Sequence, residues 1–135
     1  MKPTVAAIMT KEVVVASPEN SLIQVIEFFN RFKIQHLPVC RNQNELVGII
    51  SVNDVVKFLY DYVVEGKAIN ENVLKLSFTA ADIMTPNPTY TSPDAPLEHA
   101  HEVLSSGKFH SLPVCKDGKL VGIVTTNDLI KVLHL

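Results

Sequence analysis

The sequence predicts an α/β (α+β) fold of two pseudo-twofold-related β-α-β-β-α repeats, their small sheets packed together. Three observations carry this expectation. The chain contains a near-copy of itself. Each copy has apolar residues at helical spacing in its first half. Each has two short apolar strands around a polar turn in its second half.

The repeat is read from exact phrases. Ala7-Ile8-Met9-Thr10 returns as Asp82-Ile83-Met84-Thr85, Ser17-Pro18 as Ser92-Pro93, and Leu37-Pro38-Val39-Cys40 as Leu112-Pro113-Val114-Cys115, all at a shift of 75. Leu46-Val47-Gly48-Ile49 then returns as Leu120-Val121-Gly122-Ile123, and Asn53-Asp54 as Asn127-Asp128, at a shift of 74. The missing residue falls in the polar turn, where loops tolerate length changes.

Each element follows in order. The Ile-Met-Thr opening leads to an extended first strand at residues 13–15 or 88–90, ended by a Ser-Pro turn. An amphipathic helix comes next. Leu22, Val25, Ile26, Phe29 and Phe32 share one face in the first copy, and Leu97, Ala100, Val103 and Leu104 in the second, where Pro96 suits the first helical position. Two strands follow, 37–40 with 46–50 and their counterparts, and Asp117-Gly118 favours a tight hairpin. A closing helix spans 52 to about 64, and 126 to about 134. The domain reading is repeat 1 at 1–66, a linker at 67–78 with one short helical turn, and repeat 2 at 79–135. Each copy alone buries little surface, so the two are expected to share stability.

Composition narrows the class. Apolar residues are 47% and charged residues 19%, enough to build a core. A net charge of -2 lacks the basic surplus of a nucleic-acid binder. No apolar run is long enough to span a membrane, and the opening residues lack a signal-peptide core, so the expected location is cytoplasmic. Cys40 and Cys115 end equivalent strands and read as buried apolar residues. His99 and His101 lie two apart on a helix and point to different faces, so no metal site is expected. No nucleophile elbow or phosphate-cradling glycine loop is present, so no catalysis is expected.

The phrase with chemical content is Gly48-Ile49-Ile50-Ser51-Val52-Asn53-Asp54, repeated as Gly122-Ile123-Val124-Thr125-Thr126-Asn127-Asp128. A strand ends and a helix begins at the hydroxyl residue. Ser51-x-x-Asp54 and Thr125-x-x-Asp128 have the form of capping boxes. The same carboxylates, held at a helix start, can accept hydrogen bonds from a vicinal diol such as a ribose. Both roles can coexist.

With the Ile-Met-Thr opening and the Leu-Pro-Val strand, these phrases resemble a tandem pair of CBS domains, a stand-alone Bateman module. The resemblance covers roughly residues 4–63 and 79–135. It implies a non-enzymatic regulatory module, without cofactor, that senses an adenosine-containing ligand (AMP, ADP, ATP or S-adenosylmethionine) in the cleft between repeats. It also implies a homodimer and an effector partner of unknown identity. The ribose positions match Ser51 and Asp54 in one site, Thr125 and Asp128 in the other. The adenine surroundings match Thr10, Val13 and Ile34, and Thr85, Pro88 and Phe109. Where the family often places phosphate-binding basic residues, this chain has Gln35-His36 and His110-Ser111. Lys33 and Lys108 lie nearby and also suit solvated helix ends. The neutral surroundings favour a weakly charged adenosyl ligand. The alternative is an interaction or structural dimer with no physiological small ligand.

Overall fold

The structure is a computed structural model that describes residues 3–133. Contacts divide it into two compact units that differ from the sequence repeats. The Ser51 unit holds Val14–Asn42 and Val47–Asn87. The Thr125 unit holds the chain up to Val13, Gln43–Leu46, and the chain from Pro88 onward. Each unit therefore combines the helices and most of the hairpin of one repeat with the Ile-Met-Thr opening of the other, the Gln43–Leu46 turn of the first hairpin belonging to the Thr125 unit.

In the Ser51 unit, α1 (Leu22–Phe32) starts at a capping box. Gln24 N–H donates to Ser21 Oγ (3.2 Å), and Ser21 N–H to Gln24 Oε1 (2.9 Å). Leu22 and Val25 are buried, with Ile26 and Phe29 packed against the same core. Phe32, expected on that face, is 42% exposed. It is the last helical residue, and its ring lies beside Phe28 and under the Arg31 guanidinium. The helix stops because Lys33 adopts a left-handed φ of 54° while its N–H still reaches the Phe29 carbonyl (3.2 Å).

Strands β1 (His36–Arg41) and β2 (Glu45–Ser51) are hydrogen-bonded neighbours, and α2 (Val52–Val64) follows directly. The linker forms α3 (Glu71–Leu76), capped by Asn70, whose Oδ1 accepts from Val73 N–H (3.0 Å). Short α4 (Ala80–Ile83) leads into β3 (Thr85–Pro86), which pairs antiparallel with β2 through Gly48↔Pro86 and Ile49↔Thr85. The core gathers Leu22, Val25, Leu37, Val39, Ile50 and Val55.

The Thr125 unit opens with a 3-10 turn (Val5–Ala7) and contains α5 (Leu97–Ser105), β4 (Ser111–Lys116), β5 (Lys119–Thr125) and α6 (Thr126–Leu133). Pro96, expected as the first helical residue, is the N-cap one position earlier. Ala100 and Leu104 are buried beneath α5, and Leu97 and Val103 pack beside them. The β4–β5 hairpin turns at Asp117 and Gly118, with φ of 53° and 78°, the two left-handed residues a tight hairpin needs. From the other hairpin, Glu45 pairs with Lys119, and Leu120 N–H donates to the Asn44 carbonyl (2.8 Å).

The expected first strands at 13–15 and 88–90 do not form. Each shrinks to one parallel bridge, Ala16↔Val39 and Thr91↔Val114. Ala16 N–H donates to the Pro38 carbonyl (3.0 Å), and Cys40 N–H to the Ala16 carbonyl (2.9 Å); Thr91 makes the same pair with Pro113 and Cys115. Extending the ladder toward Val14 or Thr89 needs an N–H from Pro38 or Pro113, which proline lacks. The Leu-Pro-Val strand thus limits its own parallel partner.

Candidate functional site

Both strand-to-helix junctions form complete capping boxes. Ser51 N–H donates to Asp54 Oδ2 (2.8 Å), and Asp54 N–H to Ser51 Oγ (3.0 Å). Thr125 N–H donates to Asp128 Oδ2 (2.9 Å), and Asp128 N–H to Thr125 Oγ1 (3.3 Å). The box uses one oxygen of each carboxylate. Oδ1 takes no part in it, and each hydroxyl accepts while keeping its own proton. Ser51, Asp54, Thr125 and Asp128 are all half-buried. Each junction therefore offers an oriented carboxylate oxygen and a hydroxyl proton beside the positive end of a helix.

The remaining candidates divide between the units in a way that crosses the repeats. In the Ser51 unit, Thr85 pairs with Ile49, two residues before Ser51. The Gln35 carbonyl accepts Val52 N–H (3.0 Å), which holds the segment before β1 against the start of α2. Ile34 packs against the core of this unit, and Gln35 is exposed. His36 is half-buried at the start of β1. In the Thr125 unit, Thr10 N–H donates to the Ile123 carbonyl (2.8 Å), and Ile123 N–H to the Thr10 carbonyl (3.0 Å). The His110 carbonyl accepts Thr126 N–H (3.3 Å), the counterpart of the Gln35 bond. Ser111 is buried opposite Thr125 in the β4–β5 register. Val13 and Pro88 are half-buried in this unit. Phe109 is 37% exposed, so it is a surface ring and not a core aromatic.

Sequence reasoning missed one contact that builds both sites. A Cβ placed on Gly48 would overlap Met84 Sδ. One placed on Gly122 would lie 2.6 Å from Met9 Sδ and 3.0 Å from the Thr10 carbonyl. The methionine of each Ile-Met-Thr motif therefore packs over the glycine of the strand from the other repeat. Only glycine leaves that room. The pairing of two doubly repeated motifs was the available signal.

Electrostatics are sparse. Lys33 and Lys108 are exposed. Cys40 and Cys115 are buried, and burial pushes the Cys115 thiol up, away from its reactive thiolate form. No described helix is long and apolar enough to cross a membrane.

A duplicated strand–helix junction, each with a capped carboxylate and the Ile-Met-Thr segment of the opposite repeat paired beside it, defines a tandem α-β-β-α module. The CBS domain model matches residues 5–61 and 80–135, and the chain belongs to the CBS domain family. It is similar to the crystal structure of CBSX2 in complex with AMP (TM-score 0.80, 28% identity, 98% of this chain and 96% of that one) and to that of CBSX2 from Arabidopsis thaliana (TM-score 0.80, 27% identity, 99% and 96%). It is also similar to the CBS domain pair of protein MJ0100 in complex with 5-methylthioadenosine and S-adenosyl-L-methionine (TM-score 0.81, 26% identity, 99% and 98%). Among curated proteins, it is 30% identical over 125 residues to inosine-5'-monophosphate dehydrogenase of Methanocaldococcus jannaschii, covering 92% of this chain but only 22% of that enzyme.

Proposed function

We propose that the chain is a non-enzymatic regulatory module that binds an adenosine-containing ligand. One set comprises Ser51, Asp54, Thr85 and the Ile34–His36 segment. The other comprises Thr125, Asp128, Thr10 and the Phe109–Ser111 segment. The observation that carries this reading is the carboxylate oxygen left outside each capping box, beside a hydroxyl and a helix N-terminus. A ribose diol would donate to Asp54 or Asp128 Oδ1 and accept from Ser51 or Thr125, leaving the box intact. The AMP and S-adenosyl-L-methionine complexes of CBSX2 and MJ0100 support the ligand class.

The polar neighbours of both sets are Gln35, His36, His110 and Ser111, and the nearby lysines are exposed. AMP, 5-methylthioadenosine or S-adenosylmethionine therefore suits them better than ATP. Binding would favour one conformation of the module, which an effector protein reads. Calorimetry with AMP, ATP and S-adenosylmethionine tests this. The expected result is binding of AMP or S-adenosylmethionine well below millimolar and weaker binding of ATP. Asp54→Asn or Asp128→Asn would reduce affinity by roughly tenfold or more at the occupied set. Absence of heat from every ligand up to millimolar refutes the proposal.

A second reading, a homodimeric interaction module without a small ligand, has its own support on α2. Val56, Tyr60 and Val63 are 59%, 68% and 54% exposed at helical spacing and form an apolar stripe. Sedimentation velocity of Tyr60→Glu distinguishes it: a dimer held by this stripe becomes monomeric, and an unchanged state rejects the stripe.

A further inference from the structure

The repeat relation places one slot between the first and second helices of each unit, and among the described residues that of the Thr125 unit is open. In the Thr125 unit, Leu97 N–H donates to the Pro3 carbonyl (3.0 Å). In the Ser51 unit, Leu22 N–H donates to the Phe78 carbonyl (2.9 Å). Thr4↔Pro96 and Ser21↔Thr79 form matching antiparallel bridges beside them. The backbone frame is thus the same, and Pro3 stands where the other unit has Phe78.

The side chains differ. In the Ser51 unit, the Phe78 ring packs edge-on against Phe58 (4.8 Å between centroids) and Tyr62 (5.4 Å), with Ile26 and Leu74 on the same core. At the repeat shifts, Ile26 becomes His101 and Phe58 becomes Val132. Two rings are lost and an aliphatic residue becomes polar. What remains is an open, mainly apolar pocket of about 330 Å³ whose described lining includes Pro3, Leu97, Leu129 and Val132, with Glu98 and His101 as its polar members. That volume lies at the small end of ligand sites.

We infer that this α5–α6 slot binds a small neutral aromatic molecule, whose ring takes the place that the Phe78 ring fills in the Ser51 unit. The apolar wall of Leu97, Leu129 and Val132 covers the ring faces. His101, exposed at the rim, offers a nitrogen to a hydroxyl or N–H on the ring edge. This site shares no residue with the adenosyl sets, so its fate is independent of theirs.

The test is a methyl NMR titration of the full chain with indole and phenol. Leu97, Leu129 and Val132 methyls are expected to shift saturably, while Leu22 and Val55 stay fixed. Val132→Phe and Pro3→Phe, each restoring one missing ring, should weaken binding by roughly tenfold or more. Phe78→Ala should open the second slot, so that Leu22 and Val55 methyls now respond. Three results overturn the inference. The first is an absence of shifts at the slot methyls up to millimolar ligand. The second is unchanged binding in both ring-restoring variants. The third is movement of these methyls on simple dilution, which would show the slot occupied by a second copy.

Discussion

The Ser51 and Thr125 units use the same phrases to reach the same backbone, yet fill it differently. Around Phe78 the Ser51 unit builds an aromatic cluster with Phe58 and Tyr62, and the preceding helix α3 adds Leu74. At the matching place the Thr125 unit has Pro3 and Val132 beside an open pocket. The lesson is that duplication preserves hydrogen-bonded frames more strictly than side-chain volume. The frame is set by backbone donors that must be paired. Volume can drift as long as a core elsewhere carries the fold.

The comparison can be broken at its strongest point first. Phe78→Ala is expected to cost about 3 kcal/mol in urea denaturation, as for other large-to-small aromatic changes. Pro3→Ala should stay within about 0.5 kcal/mol, as at sites without such packing. Similar costs would mean that the two slots are energetically alike. The glycine contacts come next. Gly48→Ala and Gly122→Ala should each cost about 1–3 kcal/mol through overpacking. Adding Met84→Ala should recover most of the first loss, because only side-chain atoms oppose the new Cβ. Adding Met9→Ala should recover less of the second, because the Thr10 carbonyl also stands within 3.0 Å. Equal rescue in both units would remove that distinction.

The capping boxes predict a smaller difference. Ser51→Ala and Thr125→Ala should each cost about 1 kcal/mol. The loss should be larger at Ser51, whose hydroxyl accepts at 3.0 Å against 3.3 Å for Thr125. The reverse order in thermal melts would show that bond length does not rank them. The helix ends give the smallest effect. α1 stops on Lys33 at a left-handed φ of 54°, whereas the turn after α5 puts Gly107 at 79°. Lys33→Gly should stabilise by roughly 0.5–1 kcal/mol, and Gly107→Ala should destabilise by a similar amount. Destabilisation by Lys33→Gly would show that its stem packs more than its backbone strains.

Much of this was legible in the residues. Helices α1 and α5 followed from apolar spacing, and the hairpins from paired apolar runs around polar turns. The Ser-x-x-Asp and Thr-x-x-Asp phrases announced caps that the structure forms at both junctions. Two local readings failed for reasons beyond a short window. The first strands looked extended, but Pro38 and Pro113 remove the donor their ladders need. Phe32 matched the apolar face by spacing, yet the helix ends there and the ring stays at the surface.

The sequence by itself determined the duplication, because its phrases recur in order, and it determined the hairpin strands, the helices and the hydroxyl–carboxylate pairs, because each depends on neighbours a few residues away. Only the tertiary structure decided that Met84 covers Gly48, that Met9 covers Gly122, and that Thr85 and Thr10 pair beside the opposite repeat's junction. Those contacts join residues dozens of positions apart. No periodicity encodes them, because they arise from which buried surfaces and backbone donors find partners when the whole chain packs.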